Sequence, residues 1–107
     1  MMSRYNSVAL RYHRLVIRSF KDGDTQSVWN LTYVKRFSPQ VAKQARIKMQ
    51  LIDAADDIND LRIPPGNRLE KLSGNRRGQH SIRVNDQWRL CFRWDSGAHE
   101  LELVDYH

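Results

Sequence analysis

At 107 residues, 40% of them hydrophobic and three of them tryptophan, the chain has enough apolar material for one packed domain and too much for a disordered one. A formal net charge of +6 and a pI of about 9.9 favour an anionic partner over a basic one. A single cysteine excludes an internal disulfide, and no apolar run approaches the length of a membrane span or a secretory leader. The expected setting is therefore a reducing cytoplasm with no membrane partner.

Residues 1–15 are basic and show no clean period, which predicts a poorly ordered extension, with a basic nucleic-acid arm as the alternative. Residues 15–20 are rich in β-branched and apolar side chains and are a candidate first strand. Asp22-Gly23-Asp24 forms a turn, and Asp24 or Thr25 can cap a helix running to Phe37 on a stripe of Val28, Leu31, Val34 and Phe37. Ser38 then caps a second helix with Pro39 at its first position, and Pro64-Pro65-Gly66 ends whatever precedes it. Between them Val41, Ala45, Lys48, Ile52 and Ala55, beside Ile47, Leu51, Ala54, Ile58 and Leu61, make a broad buried face. Asp53, Asp56, Asp57 and Asp60 form an acidic patch toward its C-terminal half. A solvated face explains them more simply than a metal site, and carboxylates there oppose the helix dipole, so the patch suits a basic partner.

After the double proline, residues 67–72 read as a short strand and 73–78 as a glycine-bounded loop carrying Arg76 and Arg77. Residues 80–84 and 88–94 alternate with a period of two around the turn 85–87 and predict a hairpin. Facing both apolar sets one way sets Val84 against Trp88, Ile82 against Leu90, and Arg83 against Arg89. His80 takes core parity, and Cys91 reads as a small packed side chain. Glu100 and Glu102 alternate with Leu101 and Leu103 in a last strand, setting Phe92 against Leu101, Leu90 against Leu103 and Arg93 against Glu100. Arg89 then faces Val104 with no ion partner, and Tyr106 and His107 come next.

Like charges opposite each other on a sheet repel, so Arg83 and Arg89 either splay into solvent or share an anion. With Tyr106 and His107 they form the candidate site. Arg68, Lys71, Arg76 and Arg77 extend it, because the block 66–93 sets seven Lys and Arg against only Glu70 and Asp86. Six of those seven are arginines, suited to forked phosphate contacts. The predicted architecture is α+β, two helices on one face of a small antiparallel sheet with the arginine-bearing face open.

The run PPGNRLEKLSGNRRGQHSIRVNDQWRLCFRW, with VIRSF ahead of it and VDYH at the end, resembles the HigB-type toxins of the RelE/ParE superfamily over residues 16–107. The resemblance implies a RelE/ParE-like fold and the toxin of a type II toxin–antitoxin pair. Such a toxin acts as a ribosome-dependent mRNA endonuclease, metal-independent and without a cofactor, and inhibits translation. The implied partners are the ribosome and mRNA, and a cognate helix-turn-helix antitoxin through which alone operator DNA is met. Arg89, in the WRLCF motif, and the terminal Tyr106 and His107 carry over as catalytic. Better-known relatives use a histidine and a lysine ahead of the glycine loop, where this chain has Glu70 and Ser73. A ParE-like gyrase inhibitor and a non-enzymatic basic RNA-binding module are the competing readings. Because the resemblance opens at Val16, residues 1–15 are expected to be dispensable or foreign to the native product.

Overall fold

The structure, a computed structural model, describes residues 16–106. The expectations for residues 1–15 and for His107 lie outside the described residues. Two helices, α1 (Gly23–Trp29) and α2 (Pro39–Ala54), pack on one face of a four-stranded antiparallel sheet. Its strands β1 (Glu70–Lys71), β2 (His80–Arg83), β3 (Trp88–Trp94) and β4 (Ala98–Asp105) lie in chain order. Residues 16–20 add a fragmentary parallel edge to β4 through bridges Ile17–Ala98 and Phe20–Leu101. Beyond them the buried Thr25 hydroxyl accepts the Leu103 amide at 3.1 Å, so this edge amide is not left unpaired.

Ile82, Leu90, Phe92, Leu101 and Leu103 from the expected sheet face meet Ala45 and Ile52 of the expected α2 face. They also meet Met49, which the periodicity left out, whereas Ile47 and Ala54, expected to be buried, are exposed. Trp88 closes one end, edge-on to Phe37 with ring centroids 5.2 Å apart. Ser38 caps α2 by accepting the Val41 amide at 3.1 Å, and Pro39 opens it, as the sequence predicts. Among the described residues no helix is long and apolar enough to cross a membrane.

Both helices are shorter than their patterns suggest. Asp22, not Asp24 or Thr25, caps α1 by accepting the Thr25 amide at 2.7 Å. The helix stops at Asn30, well before Phe37, because Leu31 takes a left-handed conformation with φ 63°. Thr32 N–H then bonds Ser27 O and Leu31 N–H bonds Val28 O, the paired closure of a Schellman turn with leucine where glycine is usual. Leu31 is thereby turned out to solvent, while Phe37 reaches the core from the following loop.

Likewise α2 ends at Ala54, and Ile58, Leu61 and their neighbours continue as a short 3₁₀ turn, Ile58–Arg62. The acidic patch explains the break. Asp57 and Asp60 form a capping box on that turn, and Asp53 accepts the Ile17 amide at 3.0 Å. These three carboxylates serve backbone amides of the chain itself, so they no longer argue for a basic partner. Among the described residues no cluster of His, Cys, Asp and Glu is arranged to hold a metal ion.

Register follows parity through most of the sheet. Ile82–Leu90, Arg83–Arg89, Leu90–Leu103 and Arg89–Val104 are paired as expected. It slips between Cys91 and Arg93, where Glu100 with φ 56° puts an extra residue into β4. Arg93 consequently sits opposite His99, not Glu100, yet its guanidinium still reaches the Glu100 carboxylate at 3.2 Å. The predicted strand 67–72 shrinks to Glu70–Lys71, because Asn67 lies in a 3₁₀ turn and Arg68 is left-handed with φ 46°.

Candidate functional site

The sheet face turned away from the helices is not open, contrary to the alternation reading. Ser81 and Cys91 on it are fully buried, and Arg89 is only 8% exposed. The loop 72–79 folds over one part, where Arg76 donates to Glu102 at 3.2 Å and to Gln79 at 3.1 Å. Burial pushes the Cys91 thiol pKa up, so it stays protonated and inert. β1 continues the sheet beyond β2, and Arg89 finds its further partners on that strand and at Arg68, just after the turn Pro65–Asn67.

Arg89 is consequently held on several sides. Its Nε donates to Ser81 Oγ at 2.8 Å, its Nη2 donates to the Arg68 carbonyl at 2.7 Å, and the same nitrogen is ion-paired with the Glu70 carboxylate at 3.0 Å. Its neighbour opposite, Val104, offers nothing polar, but Glu70 arrives from β1, so the expectation of an unpartnered arginine is corrected. Nη1 is the guanidinium nitrogen with no hydrogen-bond partner among the described residues. The Tyr106 ring lies 5.7 Å from the Arg89 Cζ, a cation–π distance. Tyr106 itself is anchored by its amide, which donates to Gln87 O at 2.7 Å.

Arg83 resolves the like-charge conflict by swinging to Asp86 in its own turn. Between these groups lies a cleft of about 560 Å³ lined by Arg68, Arg83, Arg89 and Tyr106, with Gly66 and the turn residues Asn85 and Asp86. The structure thus gathers four of the predicted residues at one mouth. Arg76 is bound to Glu102 instead, and the exposed Arg77 and Lys71 do not line the cleft. Ser73, like Glu70 a departure from the relatives, is exposed.

Behind the cleft lies a polar pair that the pattern reading passed over. Lys48 Nζ donates to Asn67 Oδ1 at 2.6 Å, and the fully buried Asn67 donates to Leu61 O at 3.1 Å and Ile63 O at 3.3 Å. Burial first, and then the nearby Arg83 guanidinium, pull the Lys48 pKa below its usual value. The pair braces the turn whose next residue, Arg68, offers its carbonyl to Arg89. A signal was present, since Lys48 is the one cation on the apolar stripe of α2. Asn67 announced itself by nothing but its place after Pro-Pro-Gly.

Chemically, three guanidinium groups around one aromatic ring suit a phosphate beside a base or sugar. Asp86 and Glu70 reduce the net charge without covering Arg68.

Comparison with known proteins identifies the family and the fold. The family model described as RelE-like toxin of type II toxin-antitoxin system HigB matches residues 12–107. A relative named Toxin HigB-1, from Vibrio cholerae, is 52% identical over 60 residues, 56% of this chain. The match spans 63% of that protein's length. Endoribonuclease HigB of Proteus vulgaris is 30% identical over 93 residues, covering 86% of this chain and all of that protein. Among solved structures, a chain of the YoeB-YefM complex from Staphylococcus aureus superposes with a TM-score of 0.56 at 22% identity. That superposition covers 88% of this chain and 98% of the other, and it shows the same fold.

Proposed function

Because this chain belongs to the HigB-like family of RelE-like toxins of type II toxin–antitoxin systems, we propose that it is an endoribonuclease cutting mRNA engaged on the ribosome. By doing so it inhibits translation in the cytoplasm, and a cognate helix-turn-helix antitoxin restrains it. The observation that carries the reading is the cleft lined together by Arg68, Arg83, Arg89 and Tyr106, the residue before His107. The relative named Endoribonuclease HigB supports the reaction class.

In this mechanism the ribose 2′-oxygen attacks the adjacent phosphorus and the 5′-oxygen leaves, so one proton must be removed and one supplied. Arginine stays charged at any working pH, so Arg89 and Arg83 offset the phosphorane charge instead of moving protons. Arg89 is pre-oriented for this by Ser81, Glu70 and the Arg68 carbonyl, with Nη1 turned to the phosphate. A histidine side chain can both take up and release a proton near neutral pH, so His107 serves as the proton-transfer group, while Tyr106 orients the substrate by stacking. The guanidinium groups supply the charge that a metal would otherwise bring, so the proposed reaction is metal-independent. Dependence on the ribosome follows from the shortage of strong acid–base groups, since a pre-positioned substrate offsets weak general catalysis. The working domain is residues 16–107, and a chain begun at Val16 should retain toxicity.

The test adds purified protein to a defined mRNA, with and without translating ribosomes, and maps the new 5′ ends. Cleavage confined to the translated message, and lost in His107→Ala and Arg68→Glu, is the expected outcome. Equal cleavage of naked RNA would sink the ribosome requirement. An intact message together with inhibited gyrase would favour a ParE-like activity instead.

A further inference from the structure

The geometry points to a second functional surface, an apolar groove between α1 and α2 that docks an acidic, apolar-faced segment of the antitoxin; the inference rests on the antitoxin reading above. The early end of α1 creates it. Because Leu31 is left-handed, residues 31–37 cross back toward α2 and leave a concavity of about 500 Å³. Its apolar lining includes Leu31, Tyr33, Val34, Phe37 and Ile47. Leu31 is 75% exposed, Tyr33 77% and Ile47 51%, so three large apolar side chains face water around one hollow. Such a concentration on a small domain marks an interaction site more often than scattered surface residues do.

Charge selects the occupant. Residues 25–52 hold Lys35, Arg36, Lys43, Arg46 and Lys48 and no Asp or Glu. Arg46 is folded onto Trp29, 5.3 Å from the ring and bonded to its carbonyl, and Arg36 is paired with Asp24. Lys35 and Lys43 have no ion pair among the described residues. A partner must therefore bring carboxylates around an apolar ridge. Residues 1–15 carry Arg4, Arg11 and Arg14 with no carboxylate, and a second copy of the chain brings +6 of its own. Both have the wrong sign. The groove shares no lining residue with the arginine cleft, so it is a separate surface.

The experiment purifies the full chain and the product of the neighbouring gene, and measures their Kd by calorimetry. Tyr33→Asp and Ile47→Asp should each weaken binding by about thirty-fold or more, the level of an interface hot spot. Lys43→Glu should weaken it and flatten its salt dependence. Melting temperatures should hold, since these side chains are exposed. Ile63→Asp, 75% exposed but outside the groove, should bind like wild type. If the groove variants bind as tightly as wild type, the groove assignment is wrong while the antitoxin reading stands. If wild type does not bind the neighbouring product at all, the antitoxin reading falls first. A dimer of the chain broken by Ile47→Asp, or RNA binding lost in Tyr33→Asp, with antitoxin affinity unchanged in either case, would assign the groove to another occupant and overturn the proposal.

Discussion

Truncating Arg89 removes a group that is both catalytic in the proposed mechanism and embedded in the fold. Arg89→Ala leaves the buried Ser81 hydroxyl and the Arg68 carbonyl without their charged donor. Hydrogen bonds to charged groups are worth about 1.5–3 kcal/mol each. Glu70 is 57% exposed and regains water, so its ion pair adds at most about 1 kcal/mol. A loss of at least about 3 kcal/mol follows, and for a domain of this size that lowers Tm by on the order of 15 °C or more. Toxicity in cells would therefore confound folding with chemistry. The informative assay is single-turnover cleavage on translating ribosomes, well below the variant's own Tm, where it is fully folded. There the rate should fall about 10²–10³-fold. Arg89→Lys should recover part of it, because an ammonium cannot span Ser81, Glu70 and a phosphate together. Arg93→Ala is the control: that ion pair is half exposed on both sides and should cost less than about 1 kcal/mol with no loss of rate. A Tm for Arg89→Ala indistinguishable from wild type would refute the anchoring network, and a wild-type rate would refute the role of Arg89 in charge stabilisation.

Leu31→Gly relieves a left-handed, exposed leucine. It should raise stability by about 0.5–1 kcal/mol in denaturant melts, yet weaken antitoxin binding by losing a groove side chain. His80 Nδ1 is buried without a hydrogen-bond partner among the described residues. Burial first, then Lys71 and Arg62, hold the pKa of His80 below 6.5. The unfolded chain therefore takes up this proton first as pH falls. Stability should be complete above pH 6.5 and decline below it toward the folded pKa. His80→Gln should flatten that part of the wild-type profile, and an unchanged slope would refute the assignment. Gly97→Ala should destabilise by about 1–3 kcal/mol, because φ is 136° and a Cβ would lie 2.7 Å from the Val16 carbonyl. Amide exchange at Arg18 and Ala98, the hydrogen bonds of that edge, should speed up most.

Local rules act between near neighbours, and there the amino-acid sequence determined the outcome by itself. Side-chain parity set Ile82 against Leu90 and Arg83 against Arg89, since a slip of one residue would turn every core side chain outward. Ser38 and Pro39 marked the start of α2 because capping needs only three residues of context. The PPGNR…DYH runs identified the family without any contact being known. What tertiary structure decided lay in contacts between segments distant in the chain. Periodicity carried α1 to Phe37, because an apolar stripe cannot reveal that Leu31 turns left-handed and leaves a groove behind. The acidic cluster looked like a surface until Asp53 met the Ile17 amide from far earlier in the chain. Alternation showed Arg89 on a bare sheet face, since it counts only partners in adjacent strands. Glu70 comes from β1, the strand beyond β2, and the Arg68 carbonyl from just ahead of that strand, about twenty residues earlier in the chain, and hydrophobic period carries no information about where those segments lie.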